Sequence, residues 1–92
     1  MKEYSIRYSD QFLRDLEFYK KEGKTMILNK LNVLINELRL HPRFGTGKPE
    51  QLRGNFSGFW SRRLTQRHRL IYTINDDTVM VVLVSALGHY GE

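Results

Sequence analysis

Few side chains in this 92-residue sequence suit covalent chemistry or metal binding. The chain has no cysteine, which excludes thiolate metal sites and a cysteine nucleophile. Its three histidines, His41, His68 and His89, show no ligand spacing, and Glu50 is the one acidic residue between positions 41 and 75. Zinc takes about three or four protein ligands, and magnesium takes clustered carboxylates. We therefore expect neither a metal site nor a cofactor.

Motifs for a serine nucleophile or a nucleotide phosphate are missing as well. Ser61 has no Gly-x-Ser-x-Gly turn around it. The segment Gly-Thr-Gly-Lys at residues 45–48 is too short for a Walker loop, so we interpret it as a flexible loop. The chemistry that remains open is cleavage of RNA, because RNA supplies its own nucleophile, the 2′-hydroxyl group.

Metal-free cleavage of an RNA phosphodiester needs three groups from the protein. A base removes the 2′-hydroxyl proton, a cation stabilises the pentacoordinate phosphorane, and an acid protonates the departing 5′-oxygen. Glu50, Arg69 and His89 could fill these roles in that order. General acid–base catalysis typically contributes about 10² to 10⁴-fold. From the residues alone the assignment stays open, since any basic protein with a Glu and a His could be described in this way.

Positive charge is concentrated in one part of the chain. The whole sequence has 15 basic and 10 acidic residues, a net charge of +5. Residues 41–75 hold seven cations against Glu50 alone, a local balance of +6, and six of the seven are arginines, whose planar fork matches phosphate oxygens. A surface tuned only for solubility would mix both signs, so the pattern predicts a polyanion-binding face.

The first half of the chain predicts one strand and two helices that could carry these residues. Residues 4–8 alternate polar and apolar side chains, as a short strand does. Ser9 suits a helix N-cap, and Gly23 ends that helix. A second helix begins near Lys24, carries one apolar stripe and is closed by Pro42. We expect a helical hairpin that exposes part of its apolar stripe, which leaves self-association as a homodimer open.

The second half of the chain predicts four strands joined by short turns. After a loop at 41–49, the strands are predicted at 50–53, 58–64, 69–74 and 79–84. The resulting order is β-α-α-β-β-β-β. It corresponds to an α+β fold in which a small antiparallel sheet packs against the N-terminal helix pair, in a single domain that spans residues 1–92.

The turn predicted at residues 65–67 sets the register of the two strands beside it. It places Arg63 opposite Arg69, and like charges directly across a strand pair are destabilising. Such a pair would favour an anion between the two guanidinium groups. Trp60 and Arg62 alternate along the earlier strand, and we interpret Trp60 as core or sheet packing rather than as a base-stacking group.

Four blocks of the sequence carry a specific pattern. They are Gly47-Lys48-Pro49-Glu50-Gln51-Leu52, Asn55-Phe56-Ser57-Gly58-Phe59-Trp60-Ser61-Arg62-Arg63-Leu64, His68-Arg69-Leu70-Ile71-Tyr72 and His89-Tyr90. Together with chain length and element order, they resemble the YoeB (Txe) toxins of the RelE/ParE superfamily of toxin–antitoxin systems, essentially from end to end. The resemblance implies a RelE-like fold and a messenger-RNA interferase that cuts transcripts in the ribosomal A site.

The resemblance also implies a role for individual residues. Glu50 resembles the general base of the family, Arg69 its transition-state stabiliser and His89 its general acid. Tyr90 resembles the terminal aromatic residue that stacks on or orients the scissile nucleotide. The residues that resemble its phosphate-holding groups are Lys48, Arg53 and Arg63. Family members commonly end at the His-Tyr pair, whereas Gly91-Glu92 follows here and could add negative charge near the site.

Two other functions remain open at this point. One is a non-catalytic inhibitor that shares the fold and binds DNA gyrase, as the ParE branch does. The set Glu50, Arg69, His89 and Tyr90 argues against it, because that branch lacks these residues together. The other is a basic RNA-binding module without catalysis. Cleavage of messenger RNA on translating ribosomes separates the three, since both alternatives predict intact transcripts.

The partners implied are the ribosome, its messenger RNA and an acidic antitoxin of the YefM/Axe type. We expect the antitoxin to cover the active site or to displace the tail that carries His89 and Tyr90. The N-terminus lacks the apolar run of a secretion signal, and the longest apolar run, residues 79–84, is far shorter than the roughly 20 residues of a membrane helix. We therefore expect a cytoplasmic protein without a membrane partner.

Overall fold

A computed structural model describes residues 3–86 of the chain. The first strand, β1 (Ser5–Tyr8), leads into two helices, α1 (Asp10–Lys21) and α2 (Thr25–Leu38). The strands that follow are β2 (Glu50–Gln51), β3 (Trp60–Arg63), β4 (Arg69–Asn75) and β5 (Met80–Ser85). A single 3-10 turn, Gly54–Phe56, separates β2 from β3. The predicted order β-α-α-β-β-β-β is confirmed.

The N-terminus of α1 is capped as its sequence predicts. The Ser9 hydroxyl accepts a hydrogen bond from the Phe12 backbone N–H at 3.0 Å, and it donates one to the Val84 carbonyl at 2.6 Å. One side chain therefore both caps the helix and ties it to the last strand. At the other end, Gly23 takes a φ of +66°, a left-handed conformation that costs glycine little, and α2 begins two residues later.

The five strands form one sheet in the order β1-β5-β4-β3-β2. The last four make the antiparallel meander that the turns predict. The first strand joins this meander at its far edge and pairs with β5 in parallel, with Ser5 opposite Met80. The sheet is therefore mixed, a detail that the purely antiparallel prediction did not include, because parallel pairing depends on a long crossover and not on a local turn.

Both helices cover the same face of the sheet. Fully buried Phe12 and Leu34 from the helices pack in one cluster with Leu70, Tyr72 and Leu83 from β4 and β5. Each such buried apolar side chain contributes about 1.5–3 kcal/mol to folding. The ring of Trp60 packs against this cluster, 6.5 Å from the ring of Tyr72, so the interpretation of Trp60 as a packing residue is confirmed.

The helical hairpin leaves several large apolar side chains exposed, as expected. Leu13, Phe18 and Val33 are each about half exposed, and Met26 is 86% exposed. A groove of about 340 Å³ runs between the helices, and the side chains of Tyr8, Leu13, Leu16, Leu28 and Ile35 are among those that line it. Within residues 3–86, no helix has the length and hydrophobicity to cross a membrane.

Candidate active site

Three neighbouring strands bring polar side chains together on the face of the sheet that points away from the helices. The register places Glu50 opposite Ser61 and Arg63 opposite Arg69. Residues directly opposite each other, and residues two apart on one strand, project to the same face. Glu50, Ser61, Arg63 and Arg69 therefore share a face, while Leu70, next to Arg69 in sequence, points into the core.

Arg69 and Glu50 are in direct contact on this face. Arg69 Nη1 lies 3.3 Å from Glu50 Oε1 and 3.5 Å from Ser61 Oγ. The Arg69 side chain is 19% exposed, and the Glu50 side chain is 59% exposed. The guanidinium group is thus sheltered and oriented by the sheet, whereas the carboxylate is open to solvent. Ion pairs with one well-solvated partner contribute about 0–1 kcal/mol, so the pair can separate when another anion arrives.

The predicted opposition of Arg63 and Arg69 is confirmed. Opposed side chains of an antiparallel pair start about 5 Å apart at their Cβ atoms, so two guanidinium groups there repel each other unless an anion is near. Glu50 supplies one negative charge at this position through its contact with Arg69. A phosphodiester carries one as well, and it offers two oxygens that match the fork of each arginine.

The other predicted phosphate-binding residues lie around the β2 strand. Lys48 is exposed two residues before Glu50, in a left-handed conformation with φ of +52°. Arg53 is exposed at the start of the 3-10 turn, two residues after β2. The side chain of Arg63 is exposed at the end of β3. The described cations beside the Glu50–Arg69 pair are therefore accessible to a polyanion.

Comparison with known proteins identifies the family. Residues 8–90 match the family model described as the YoeB-like toxin of bacterial type II toxin–antitoxin systems. The chain belongs to this YoeB family. The family predicted from the four sequence blocks is confirmed, and toxin of a toxin–antitoxin system is the class of protein that follows from it.

Individual relatives support the same assignment. Toxin YoeB of Escherichia coli strain K12 is 48% identical over 63 residues, which cover 68% of this chain and 75% of that protein. A YoeB–YefM complex from Staphylococcus aureus matches with a TM-score of 0.80 at 32% identity, covering 95% of this chain and 98% of the other. A YoeB dimer from the same organism matches with a TM-score of 0.81 at 32% identity, covering 96% and 99%. The α+β fold class is thereby confirmed.

Two members of the predicted catalytic set in this YoeB-family chain, His89 and Tyr90, lie outside the described residues. The Gly91-Glu92 tail lies outside them too. The structure brings together Glu50, Arg69 and Arg63, and it adds Ser61 to them. Among residues 3–86, no three or more His, Asp or Glu side chains gather in a group that could hold a metal ion.

Two of the seven cations in the basic segment form ion pairs away from the site. Arg62 is fully buried on the helix side of the sheet, where Nη1 lies 2.8 Å from Glu37 Oε1. Arg43 forms an ion pair with Asp76, with 2.6 Å between Nη2 and Oδ2. The count of +6 for this segment therefore overstates the charge of its binding face. The alternation of side chains along β3 could have indicated the burial of Arg62, because it places Arg62 on the same face of the sheet as Trp60.

Ser61 is the site residue that sequence reasoning missed. It is fully buried, and its Oγ accepts a hydrogen bond from Arg69 at 3.5 Å. The sequence argues only against Ser61 as a nucleophile, because no Gly-x-Ser-x-Gly turn surrounds it. Its position opposite Glu50 depends on the pairing of the two-residue strand β2, which the sequence placed only approximately. A short polar side chain here supports Arg69 without filling the space in front of it.

Proposed function

We propose that this YoeB-family toxin is a messenger-RNA endoribonuclease that acts on the ribosome and needs no metal or cofactor. The observation that carries the proposal is the contact of 3.3 Å between Arg69 Nη1 and Glu50 Oε1, with Arg63 directly opposite Arg69. A carboxylate beside two guanidinium groups combines a proton acceptor with a phosphate-binding site. Proton transfer alone would not require the two arginines, and phosphate binding alone would not require the carboxylate.

In the proposed reaction the ribose attacks its own phosphate. The Glu50 carboxylate accepts the 2′-hydroxyl proton while the 2′-oxygen forms a bond to phosphorus. The bond between phosphorus and the 5′-oxygen breaks, and the leaving oxygen takes a proton from His89, the residue expected to act as acid. The products are a 2′,3′-cyclic phosphate and a 5′-hydroxyl end. Tyr90 is proposed to orient the nucleotide at the cleaved bond.

Arg69 is proposed to change partners when RNA binds. In the absence of RNA it contacts Glu50, and this exposed pair is weak. A phosphate held between Arg63 and Arg69 forms charge-assisted, bidentate hydrogen bonds that are stronger than the original pair. The exchange leaves the Glu50 carboxylate free next to the bound phosphate, where a proton acceptor is needed for the 2′-hydroxyl group.

Lys48, Arg53 and Arg63 are proposed to hold the phosphates of the messenger. All three are exposed and lie near the ends of β2 and β3. Cations placed this way attract a single strand without regard to its sequence, and their contribution weakens as salt rises. Sequence or codon preference would then come from the ribosome and not from these contacts.

Mapping of 5′ ends tests the proposal. Purified toxin, either untreated or stripped of metal with EDTA and then dialysed, is added to translating ribosomes in magnesium buffer, and new 5′-hydroxyl ends on the messenger are mapped. We expect cleavage in both conditions, and we expect Glu50→Ala and His89→Ala to leave transcripts intact and to relieve growth arrest while the proteins remain folded. Intact transcripts with inhibited gyrase supercoiling would instead support the ParE-like alternative, and intact transcripts with RNA binding alone would support a non-catalytic binding module.

The proposed partner in the resting cell is an acidic antitoxin of the YefM type in the cytoplasm. The related protein from Staphylococcus aureus forms a YoeB–YefM complex. Acidic side chains of such a partner would compete with RNA for Arg63 and Arg69, so its binding should weaken as ionic strength rises. Displacement of bound RNA by the antitoxin, measured by fluorescence anisotropy, tests this part of the proposal.

Self-association is proposed separately and rests on different residues. The Staphylococcus aureus relative is a dimer, and this chain exposes Leu13, Phe18 and Val33 on its helical hairpin. Apolar side chains that lie together on a surface commonly mark an interface, and the groove between the helices places Leu13 with Leu16 and Leu28. Sedimentation of the wild type and of Phe18→Ser tests whether this surface joins two copies; an equal sedimentation coefficient for both would exclude it.

A further inference from the structure

One arginine of the basic segment, Arg62, is buried with all its hydrogen-bonding groups engaged. Its Nη1 donates to Glu37 Oε1 at 2.8 Å, and its Nε donates to the Tyr72 phenol oxygen at 3.2 Å. Three further bonds go to backbone carbonyls, so the five guanidinium N–H groups have five acceptors. A buried charge is tolerated when it is paired and fully hydrogen-bonded, and Arg62 meets both conditions.

The three carbonyls belong to the loop between α2 and β2. Arg62 donates to the carbonyl of His41 at 2.5 Å, of Phe44 at 3.0 Å and of Thr46 at 3.3 Å. The Tyr72 phenol donates to a fourth carbonyl in the same loop, that of Pro42, at 2.8 Å. Side chains from β3 and β4 therefore bind the backbone of this loop at four positions, one of which, Thr46, lies in the segment 45–48 that the sequence predicts to be a flexible loop.

Glu37, at the end of α2, closes the network on the other side of the loop. The Thr46 backbone N–H donates to Oε1 at 2.8 Å, and the Thr46 hydroxyl donates to Oε2 at 2.5 Å. Burial alone would raise the pKa of Glu37, but the hydrogen bonds from Thr46 and Arg62 and the positive charge of Arg62 together lower it below its ordinary value. Glu37 therefore stays ionised and bridges the loop to Arg62.

The network ends next to the proposed base. The carbonyl of Gly47, a residue with φ of +87°, accepts a hydrogen bond from the Arg63 backbone N–H at 2.7 Å. A Cβ at Gly47 would lie 3.0 Å from the Arg63 carbonyl oxygen, so the loop approaches β3 closely here. On the other side of β2, the Leu52 N–H donates to the Phe59 carbonyl at 2.9 Å. These two backbone bonds bracket Glu50.

We propose that Arg62 is a positioning residue for Glu50, which it serves by fixing the loop at residues 41–47 from the buried side of β3. Arg62 contacts neither RNA nor Glu50. It sets where β2 begins, and thereby it sets the distance between the Glu50 carboxylate and Arg69. The inference rests on the proposed function, because it assigns Arg62 a part in the reaction at the Glu50 and Arg69 site.

The test weakens the network with substitutions that leave the core intact. Glu37→Gln removes the charge that pairs with Arg62, and Thr46→Val removes one hydroxyl at an exposed position. Thr46→Ser restores that hydroxyl and serves as the conservative rescue. Arg43→Gln is the matched control, because it breaks a different anchor of the same loop, the exposed pair with Asp76. Circular dichroism confirms that each variant is folded.

Two measurements separate positioning from plain stability. Hydrogen exchange of the Arg63 amide reports whether the loop is docked on β3, and steady-state cleavage of ribosome-bound messenger reports kcat and KM. We expect Glu37→Gln and Thr46→Val to speed exchange at Arg63 and to lower kcat about 10- to 100-fold with KM unchanged, since small displacements of a catalytic group cost that much. Thr46→Ser and Arg43→Gln should keep wild-type kcat.

Unchanged kcat in Glu37→Gln and Thr46→Val, with faster exchange at Arg63, would overturn the positioning role. Unchanged exchange at Arg63 in both variants would overturn it as well, whatever the cleavage rates. A wild-type protein that cuts no messenger would overturn the proposed function instead. Exchange at Arg63 does not depend on RNA, so the two failures are distinguishable.

Discussion

Arg62 and Arg63 are consecutive on β3 and lie on opposite sides of the sheet. Arg62 has no exposed surface and is paired with Glu37, whereas Arg63 is exposed and lies opposite Arg69. Adjacent residues of a strand point to opposite faces, so one of these two arginines lies in the interior and the other on the surface. The inner side chain binds the loop before β2, and the outer side chain faces the proposed phosphate site.

Replacement of Arg69 should abolish most of the activity without unfolding the protein. Arg69→Gln removes the cation that contacts Glu50 and that is proposed to stabilise the phosphorane. Loss of one preorganised charge at a transition state typically lowers kcat about 10²- to 10³-fold. Steady-state cleavage of ribosome-bound messenger measures the loss. Arg67→Gln, at an exposed position in the turn before β4, is the control; an equal loss in both variants would contradict a specific role for Arg69.

Replacement of Glu50 by glutamine should separate its catalytic role from its ion pair. Glu50→Gln keeps the shape of the side chain and its ability to accept a hydrogen bond from Arg69, but it removes the proton acceptor. We expect kcat to fall about 10²- to 10⁴-fold, as for other general bases. Because the side chain is 59% exposed, the free energy of unfolding should change by less than about 1 kcal/mol.

Denaturation by urea provides the matching stability measurement for Glu50→Gln. A variant that keeps its unfolding midpoint and loses cleavage supports the proposed base. Retention of wild-type kcat in a folded Glu50→Gln protein would remove Glu50 from the mechanism and would leave the Arg63–Arg69 pair as a binding site only.

Several features of this fold followed from local sequence. The Ser9 cap depends on residues within one helical turn of each other, and the break between the two helices depends on Gly23. The opposition of Arg63 and Arg69 followed from a short turn at residues 65–67, since a tight turn fixes the register of both strands. These features are set by contacts between residues that are close in sequence, and such contacts can be predicted without a structure.

The features that escaped prediction depend on contacts between distant residues. The partner of Arg62 is Glu37, 25 positions earlier and on a helix, and nothing near either residue indicates the pairing. Burial of an arginine also contradicts its usual preference for the surface, so charge counting placed it on the binding face. Parallel pairing of β1 with β5 joins the two ends of the described chain, beyond the reach of any turn.

Salt dependence should distinguish the phosphate-binding cations from the structural ones. Binding of a single-stranded RNA weakens with salt, and each lost phosphate contact reduces the slope of log affinity against log salt by about 0.7. Lys48→Gln, Arg53→Gln and Arg63→Gln should each reduce the slope by this amount. Arg43→Gln should not, because Arg43 is paired with Asp76. Equal slopes for all four variants, measured by anisotropy, would contradict the assignment.

Two glycines with similar conformations should respond differently to alanine. Gly47 (φ +87°) and Gly54 (φ +64°) both disfavour a side chain, but a Cβ at Gly47 would also press on the backbone of Arg63, whereas Gly54 has open space. Left-handed conformations cost non-glycine residues about 1–3 kcal/mol. We expect Gly54→Ala to lose about 1 kcal/mol of unfolding free energy and Gly47→Ala to lose more.

Urea unfolding of the two glycine variants measures the difference. The excess loss in Gly47→Ala reports the close approach of the loop to β3. It should be accompanied by faster hydrogen exchange at the Arg63 amide, which donates to the Gly47 carbonyl. Equal losses in both variants would mean that the loop does not press against β3.

A buried tyrosine should make the stability of this protein sensitive to alkaline pH. The Tyr19 side chain is almost fully buried, and its phenol donates a hydrogen bond to the Ala86 carbonyl. Burial, together with the negative charge of Asp15, raises the pKa of Tyr19 to about 12 from its ordinary value of 10.0. The folded state therefore holds this proton more tightly than the unfolded state does.

The sign of the effect follows from which state binds the proton. Below pH 10 both states are protonated and the contribution of Tyr19 to stability is complete; between pH 10 and 12 the unfolded state loses its proton first, so stability falls. Tyr19→Phe should cost about 1 kcal/mol at pH 8, the value of one hydrogen bond. Its deficit should shrink as pH rises above 10, because phenylalanine has no proton to lose. Urea unfolding of both proteins at pH 8 and pH 11 measures this, and a constant deficit at both pH values would show that Tyr19 keeps its ordinary pKa in the folded protein.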